Sequence, residues 1–227
     1  MKQRRIHPAW IAAAITWFTL VASAGYRSAP SVLIVPLEDA FGWSRSQISL
    51  AISINILLYG LTAPFAAALM ERFTVRKVVM SALAAVSLGA FLTIFMSKPW
   101  HLILLWGVVV GIGTGSMALV FAATVASRWF MQRRGLVVGA LTAAAATGQL
   151  VFLPLLSKLA MDHGWKSVSI TIAASAAIVI PLIWWGLNEQ PQDIGHKPYG
   201  APEDWVAPEK IEGHAAKNAI RSEEHTS

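Results

Sequence analysis

Long apolar runs separated by short polar knots dominate the chain. Six segments approach or exceed the roughly 20 mostly apolar residues that a helix needs to cross a bilayer. They are residues 10–36, 48–70, 78–97, 101–126, 135–157 and 167–187. The links between them are short, so successive spans are expected to form hairpins. Pro30 and Pro36 in the first run predict a tilted or broken helix. From Asn188 onward Gly, Pro and charged residues follow without an apolar period, so this part is expected to be polar and largely disordered. The expected organisation is a six-helix bundle over residues 1–187 and a polar cytoplasmic segment over 188–220. Residues 221–227 read as one frame of a widely used sequencing-library adapter, which makes them an expected artefact with the natural chain continuing where this one stops.

Composition agrees with a polytopic membrane protein. Of the 227 residues 56% are hydrophobic and 13% charged, against about 25% charged in a soluble domain. The net charge of +6 lies in short loops and ends, which fits a topology signal and not a nucleic-acid surface. With the N-terminus inside, cytoplasmic bases are Lys2, Arg4, Arg5, Arg72, Arg76, Lys77, Arg128, Arg133 and Arg134; the outer loops hold Arg45, Lys98, Lys158 and Lys166. That bias satisfies the positive-inside rule and predicts an inner (plasma) membrane protein with a cytoplasmic N-terminus. Trp10, Trp129, Trp184 and Trp185 then fall at the inner interface, and Trp43, Trp100 and Trp165 at the outer one. The basic start, an apolar run and Ala22-Ser23-Ala24 resemble a secretory signal, but apolar character resumes after Arg27. An uncleaved first helix is expected.

No acid–base or metal set converges in the spans, so an enzyme is not expected. The chain has no cysteine, and its six histidines are scattered, which leaves no metal site to predict. Gly111-Ile-Gly113-Thr-Gly115 has no preceding strand and sits in a lipid-length run, against a nucleotide loop. Gly115-Ser116 lacks a histidine in any later span to act as base. Gly107, Gly111 and Gly115, and likewise Gly135 and Gly139, recur every four residues and are expected to be close helix-packing rows. No Asp or Glu lies inside a span, and Arg27 is the one base well inside. Two readings of Arg27 stand: snorkelling to the outer surface, or contacting an anion in a cavity, with Tyr26 and Ser28 as neighbouring donors. Asn55, Tyr59, Thr114 and Gln149 are polar intramembrane residues that suit either interhelical hydrogen bonds or ligand contacts.

The charged knot at 67–77 places Glu71 at the end of one span and Arg72, Arg76 and Lys77 at the start of the next. Acid beside bases at such a turn can form a network that latches neighbouring helices, or act as a plain positive-inside anchor. Its order resembles the loop Gly-xxx-Asp/Glu-Arg/Lys-x-Gly-x-Arg/Lys-Arg/Lys of major facilitator superfamily transporters, with Ala67 and Thr74 where that pattern has glycines. Phe41-Gly-Trp-Ser-Arg-Ser-Gln-Ile-Ser49, Ser127-Arg-Trp-Phe with Arg133-Arg134-Gly135, Gly164-Trp165 and Asp193-Ile-Gly-His-Lys-Pro-Tyr-Gly200 are similar to the monocarboxylate transporter-like branch, bacterial type.

The resemblance implies an all-α polytopic protein whose six helices form one half, a three-plus-three inverted repeat, of a major facilitator fold. It implies secondary active transport of a small organic anion, foremost a monocarboxylate, by alternating access. The alternatives are another facilitator substrate (drug, sugar or inorganic anion) or a non-transporting six-span sensor or assembly partner. The implied substrate contacts are Arg27, Tyr26, Asn55, Tyr59, Thr114 and Gln149, with Glu71, Arg72, Arg76 and Lys77 as the latch. The implied partners are an anionic small molecule, the lipid bilayer and a missing C-terminal six-helix half. No cofactor is expected, and coupling to a proton or another ion, as in symport, stays open.

Overall fold

A computed structural model describes residues 7–117 and 119–207. Lys2, Arg4 and Arg5, and the 208–227 tail with its expected artefact, lie outside the described residues. Six helices are long and apolar enough to cross a membrane: α1 Pro8–Phe41, α2 Arg45–Arg72, α3 Val75–Phe95, α4 Pro99–Trp129, α5 Arg134–His163 and α6 Trp165–Gly186. Among the described residues there is no strand, only one isolated bridge.

Most helices outrun their apolar cores because capping chemistry at the interface extends them. His7 caps α1, which continues past Pro36 through Glu38 and Asp39 until Gly42, in the left-handed conformation, closes it with an N–H to Glu38. The expected break at Pro30 or Pro36 is absent: both prolines sit inside one continuous helix. Ser44 starts α2 with a capping box to Gln47, and Arg45 forks onto Glu38 across the turn at 3.1 Å. At the α2–α3 turn Thr74 adopts an extended backbone and its Oγ1 accepts from Lys77 N–H at 3.2 Å. An extended cap needs no left-handed residue, so threonine serves where the family pattern has glycine.

The most extensive pairings are α1 with α5, α3 with α6, and α2 with α4. Exchanging α1–α3 for α4–α6 leaves that set unchanged, as a three-plus-three inverted repeat requires. The α2–α4 seam is built on glycine. A Cβ at Gly107, Gly111 or Gly115 would meet backbone atoms of Ala51, Asn55 or Tyr59 at 3.1, 3.1 and 2.8 Å, one contact per helical turn. Gly135 and Gly139 do not act this way, contrary to expectation: a Cβ at either meets nothing within 4 Å. The face of α5 that packs instead runs through Val137, Leu141, Ala144 and Gly148, all buried. Gly148 lies hard against the Val21 carbonyl of α1, and a Cβ there would overlap it.

Part of α4, Ile103–Val110, is a π-helix. Asn55 Nδ2 donates to the Trp106 carbonyl there at 2.7 Å, from a fully buried position on α2. The wider turn loosens the usual backbone ladder, and the amide supplies a partner in a setting where an orphan carbonyl is costly.

The tryptophans do not all lie in belts. Trp100, Trp184 and Trp185 are exposed, whereas Trp43, Trp129 and Trp165 are buried by packing. Phe41 stacks on Trp43 and tilts against Trp165, tying α1, the α1–α2 turn and α6 together at one end of the bundle.

The polar segment after α6 is ordered over 188–207, which corrects the expected disorder within the described residues. It makes a turn at Pro191–Ile194 and runs back beneath the bundle. Tyr199 N–H donates to the Trp129 carbonyl at 2.8 Å, and its carbonyl accepts from Met131 and Gln132 at 3.0 and 3.2 Å. Backbone bonds of this kind, with Pro191 and Pro198 buried, offset the entropy that its composition alone would leave uncompensated. This end of the molecule, carrying the α1 start, the α2–α3 turn and the α4–α5 turn, is called the basic face below.

Candidate functional site: an arginine in an apolar cavity

A cavity of about 160 Å³ opens between α1, α2, α4 and α5. Its lining is apolar except for Arg27, Tyr59, Ser23 and Thr142. The Thr142 hydroxyl already donates to the Val138 carbonyl at 2.8 Å. Among the described residues no carboxylate lines it, and Arg27 is the one formal charge there.

Arg27 is the twentieth of the 34 residues of α1, roughly 28 Å along the helix at 1.5 Å per residue. That is near the middle of the helix, because α1 extends further at both ends than its apolar run. The guanidinium lies over the Tyr59 ring of α2, 4.9 Å from the centroid. Ring and cation attract, which steadies a long side chain without neutralising its charge. The seams bring the two helices here. Gly25 accommodates the Phe152 ring two residues before Arg27, and Gly115 lies against the Tyr59 backbone.

Of the six residues expected at a substrate site, Arg27 and Tyr59 meet at the cavity and four do not line it. Tyr26 is fully buried, with its hydroxyl facing Ser175 of α6. Asn55 holds the Trp106 carbonyl. Thr114 is buried and donates to Val110 and Gly111 carbonyls of its own helix. Gln149 is exposed on α5, away from this cavity. Each is polar, but helix rotation turns it elsewhere, and sequence polarity carries no direction. The apolar wall residues Leu20, Met117, Leu119 and Leu141 escaped sequence reasoning because they look like any core residue.

A second charged site occupies the basic face. Glu189, just beyond α6, accepts from the Val75 N–H at the start of α3 with both oxygens, at 2.9 and 3.1 Å. It also pairs with Arg128 at the end of α4. A carboxylate at a helix N-terminus is favoured by the exposed N–H groups and the helix dipole. Glu71 and Asp193 also act electrostatically on Arg128. Arg76 lies over Trp184 at 5.2 Å and reaches its carbonyl, while Arg72 stacks on Phe73. Of the four expected latch residues Glu71 acts on the Arg128–Glu189 pair, which the loop pattern did not include, while Arg72 and Arg76 lie on aromatic rings and Lys77 is exposed. Among the described residues no three His, Asp or Glu side chains gather as a metal would require.

Comparison with known proteins agrees with this architecture. The family model "Major Facilitator Superfamily" matches residues 16–223. The uncharacterized MFS-type transporter YcxA of Bacillus subtilis is 30% identical over 185 residues, covering 80% of this chain and 45% of that protein. Human monocarboxylate transporter 14 is 26% identical, covering 83% of this chain and 38% of the relative. Human monocarboxylate transporter 7 is 31% identical, covering 69% and 30%. The chain spans less than half the length of these curated relatives. A six-span all-α bundle with paired helix seams and this family match has one assignment: the chain belongs to the major facilitator superfamily.

Proposed function

We propose that the chain is the N-terminal six-helix half of a secondary active transporter that carries a small monocarboxylate by alternating access. The observation that carries this reading is Arg27, the one charged side chain among the described residues that line a largely apolar cavity. A monocarboxylate with a short apolar body matches one guanidinium and aliphatic walls. A sugar would need more hydrogen-bonding groups than the few hydroxyls of this wall, of which Thr142 is already engaged, and a cationic drug would need an acid. The other wall would come from a second six-helix half, rocking against this one about the shared cavity.

In this reading the protein lies in the inner (plasma) membrane with the basic face in the cytoplasm, as the positive-inside rule favours. Residues 188–220 link the halves. The Glu189–Arg128 pair, together with Glu71, Arg72, Arg76 and Lys77 of the same face, is the cytoplasmic latch. Its bonds join α3, α4 and the segment after α6, so they resist relative movement of those elements. Coupling to a proton or other ion would use a group outside the apolar runs of this chain's helices, which contain no acid. Uptake into proteoliposomes by the complete protein, with unlabelled competitors, tests the substrate class. Short monocarboxylates should compete; competition by sugars, organic cations or inorganic anions alone would reject it.

A further inference from the structure

His7 joins the start of α1 to the polar segment on the basic face. Its Nδ1 accepts from the Ala9 N–H at 3.2 Å, so in this arrangement the ring proton resides on Nε2. The Lys197 backbone also acts on the ring, favouring its protonated form. Edge-on contacts bring His196 and Tyr199 to centroid distances of 5.9 and 5.5 Å. Trp10 packs against Tyr199 and Phe130, completing an aromatic cluster around the Phe130–Tyr199 bridge.

We propose that His7 is a pH-sensitive pin that holds the polar segment against the bundle when neutral and releases it on protonation. A second proton would occupy Nδ1 and point at the N–H from which Nδ1 now accepts. It would also place a cation at a helix N-terminus, where the dipole disfavours one. The Lys197 backbone offsets this in part, but the side chains facing the ring do not. From the polar segment these are His196, which repels an imidazolium when itself charged, and Tyr199, which presents a ring edge. The Lys197 ammonium is engaged by the Glu203 carbonyl. Trp10 of α1 and Phe130 of the α4–α5 turn are uncharged. Among the described residues His7 forms no ion pair with a carboxylate.

Burial first, and His196 second, hold the His7 imidazole below its ordinary 6.5. The docked state therefore binds fewer protons than the released state. Docking is fully favoured above the ordinary value and weakens as pH falls through it toward the lowered one. A cytoplasmic acid load would then loosen the segment that links the two halves, a consequence that rests on the proposed topology; the pin itself does not.

Hydrogen–deuterium exchange of the complete protein, corrected for intrinsic pH dependence, reads the pin through the amides of Met131, Gln132 and Tyr199. Their protection is expected to fall severalfold, to a limit of about tenfold, between about pH 7.5 and about pH 5.5, a local opening, while amides in the middle of the bundle hold. His7→Gln has an acceptor and a donor but does not titrate, so it should stay protected at both. His7→Arg, always charged, should be unprotected at both. Wild-type protection that does not change with pH, or an equal fall in His7→Gln, overturns the proposal. So does a fully protected His7→Arg.

Discussion

The guanidinium of Arg27 on α1 rests 4.9 Å above the ring of Tyr59 on α2. The contact crosses from one helix of the bundle to another at the cavity wall, so it fixes where the cavity's only charge is presented. Tyr59→Phe keeps the ring and should leave carboxylate uptake within about twofold. Tyr59→Leu removes a cation–π contact of about 0.5–2 kcal/mol and should raise KM roughly 2- to 30-fold with little change in maximal rate. Uptake kinetics of the two variants check this; equal effects would mean that the hydroxyl, not the ring, matters.

Asn55 gives the opposite test, of a polar residue that the structure engages in helix packing outside the cavity. Its amide satisfies the Trp106 carbonyl in the π-helical part of α4. Asn55→Leu should lower stability by about 1–3 kcal/mol, the cost of an unpaired buried carbonyl. The KM of the protein that remains folded should be unchanged. Denaturation in detergent, followed by uptake kinetics on the surviving fraction, separates the two effects.

Gly148 and Gly139 lie on one helix, yet should respond oppositely to alanine. At Gly148 a Cβ would overlap the Val21 carbonyl, so Gly148→Ala should cost about 1–3 kcal/mol through overpacking of the α1–α5 seam. At Gly139 a Cβ meets open space, so Gly139→Ala should be neutral or stabilise by up to about 1 kcal/mol through helix propensity. Thermal melts of the two variants check the contrast.

That contrast also marks what the chain's pattern could reveal. The six spans were legible because bilayer thickness sets a length that apolar runs must meet. Their ends were not, because His7, Ser44 and Thr74 cap helices in polar sequence outside those runs. The rows at 107–115 and 135–139 have the same spacing, but spacing does not say which face of a helix meets a neighbour. Arg27 stood out because an intramembrane charge is rare. Tyr59 could not be told from Asn55, Thr114 or Gln149, since direction around a helix depends on packing. Glu189 was invisible as a latch residue because its partners, Arg128 and Val75, lie 61 and 114 positions away.

The Glu189 cluster predicts a stability effect at the basic face. Glu189→Gln keeps the shape but loses the charge that pairs with Arg128 and binds the α3 N-terminus. A loss of about 1.5–3 kcal/mol is expected, typical of a charge-assisted hydrogen bond. In the complete protein, cysteine probes placed on this face of the cysteine-free chain should react faster in Glu189→Gln than in the parent. Unchanged labelling would show that the pair does not restrain movement there.

The central claim is that Arg27 recognises the charge of a carboxylate substrate. The most direct measurement is uptake of a labelled short monocarboxylate by proteoliposomes containing the complete protein, with Arg27→Ala and Arg27→Lys beside the wild type. Arg27→Ala is expected to abolish saturable uptake while inserting and melting normally. Arg27→Lys should retain a reduced rate, since a point charge replaces a fork. Wild-type uptake kinetics in Arg27→Ala would contradict the account.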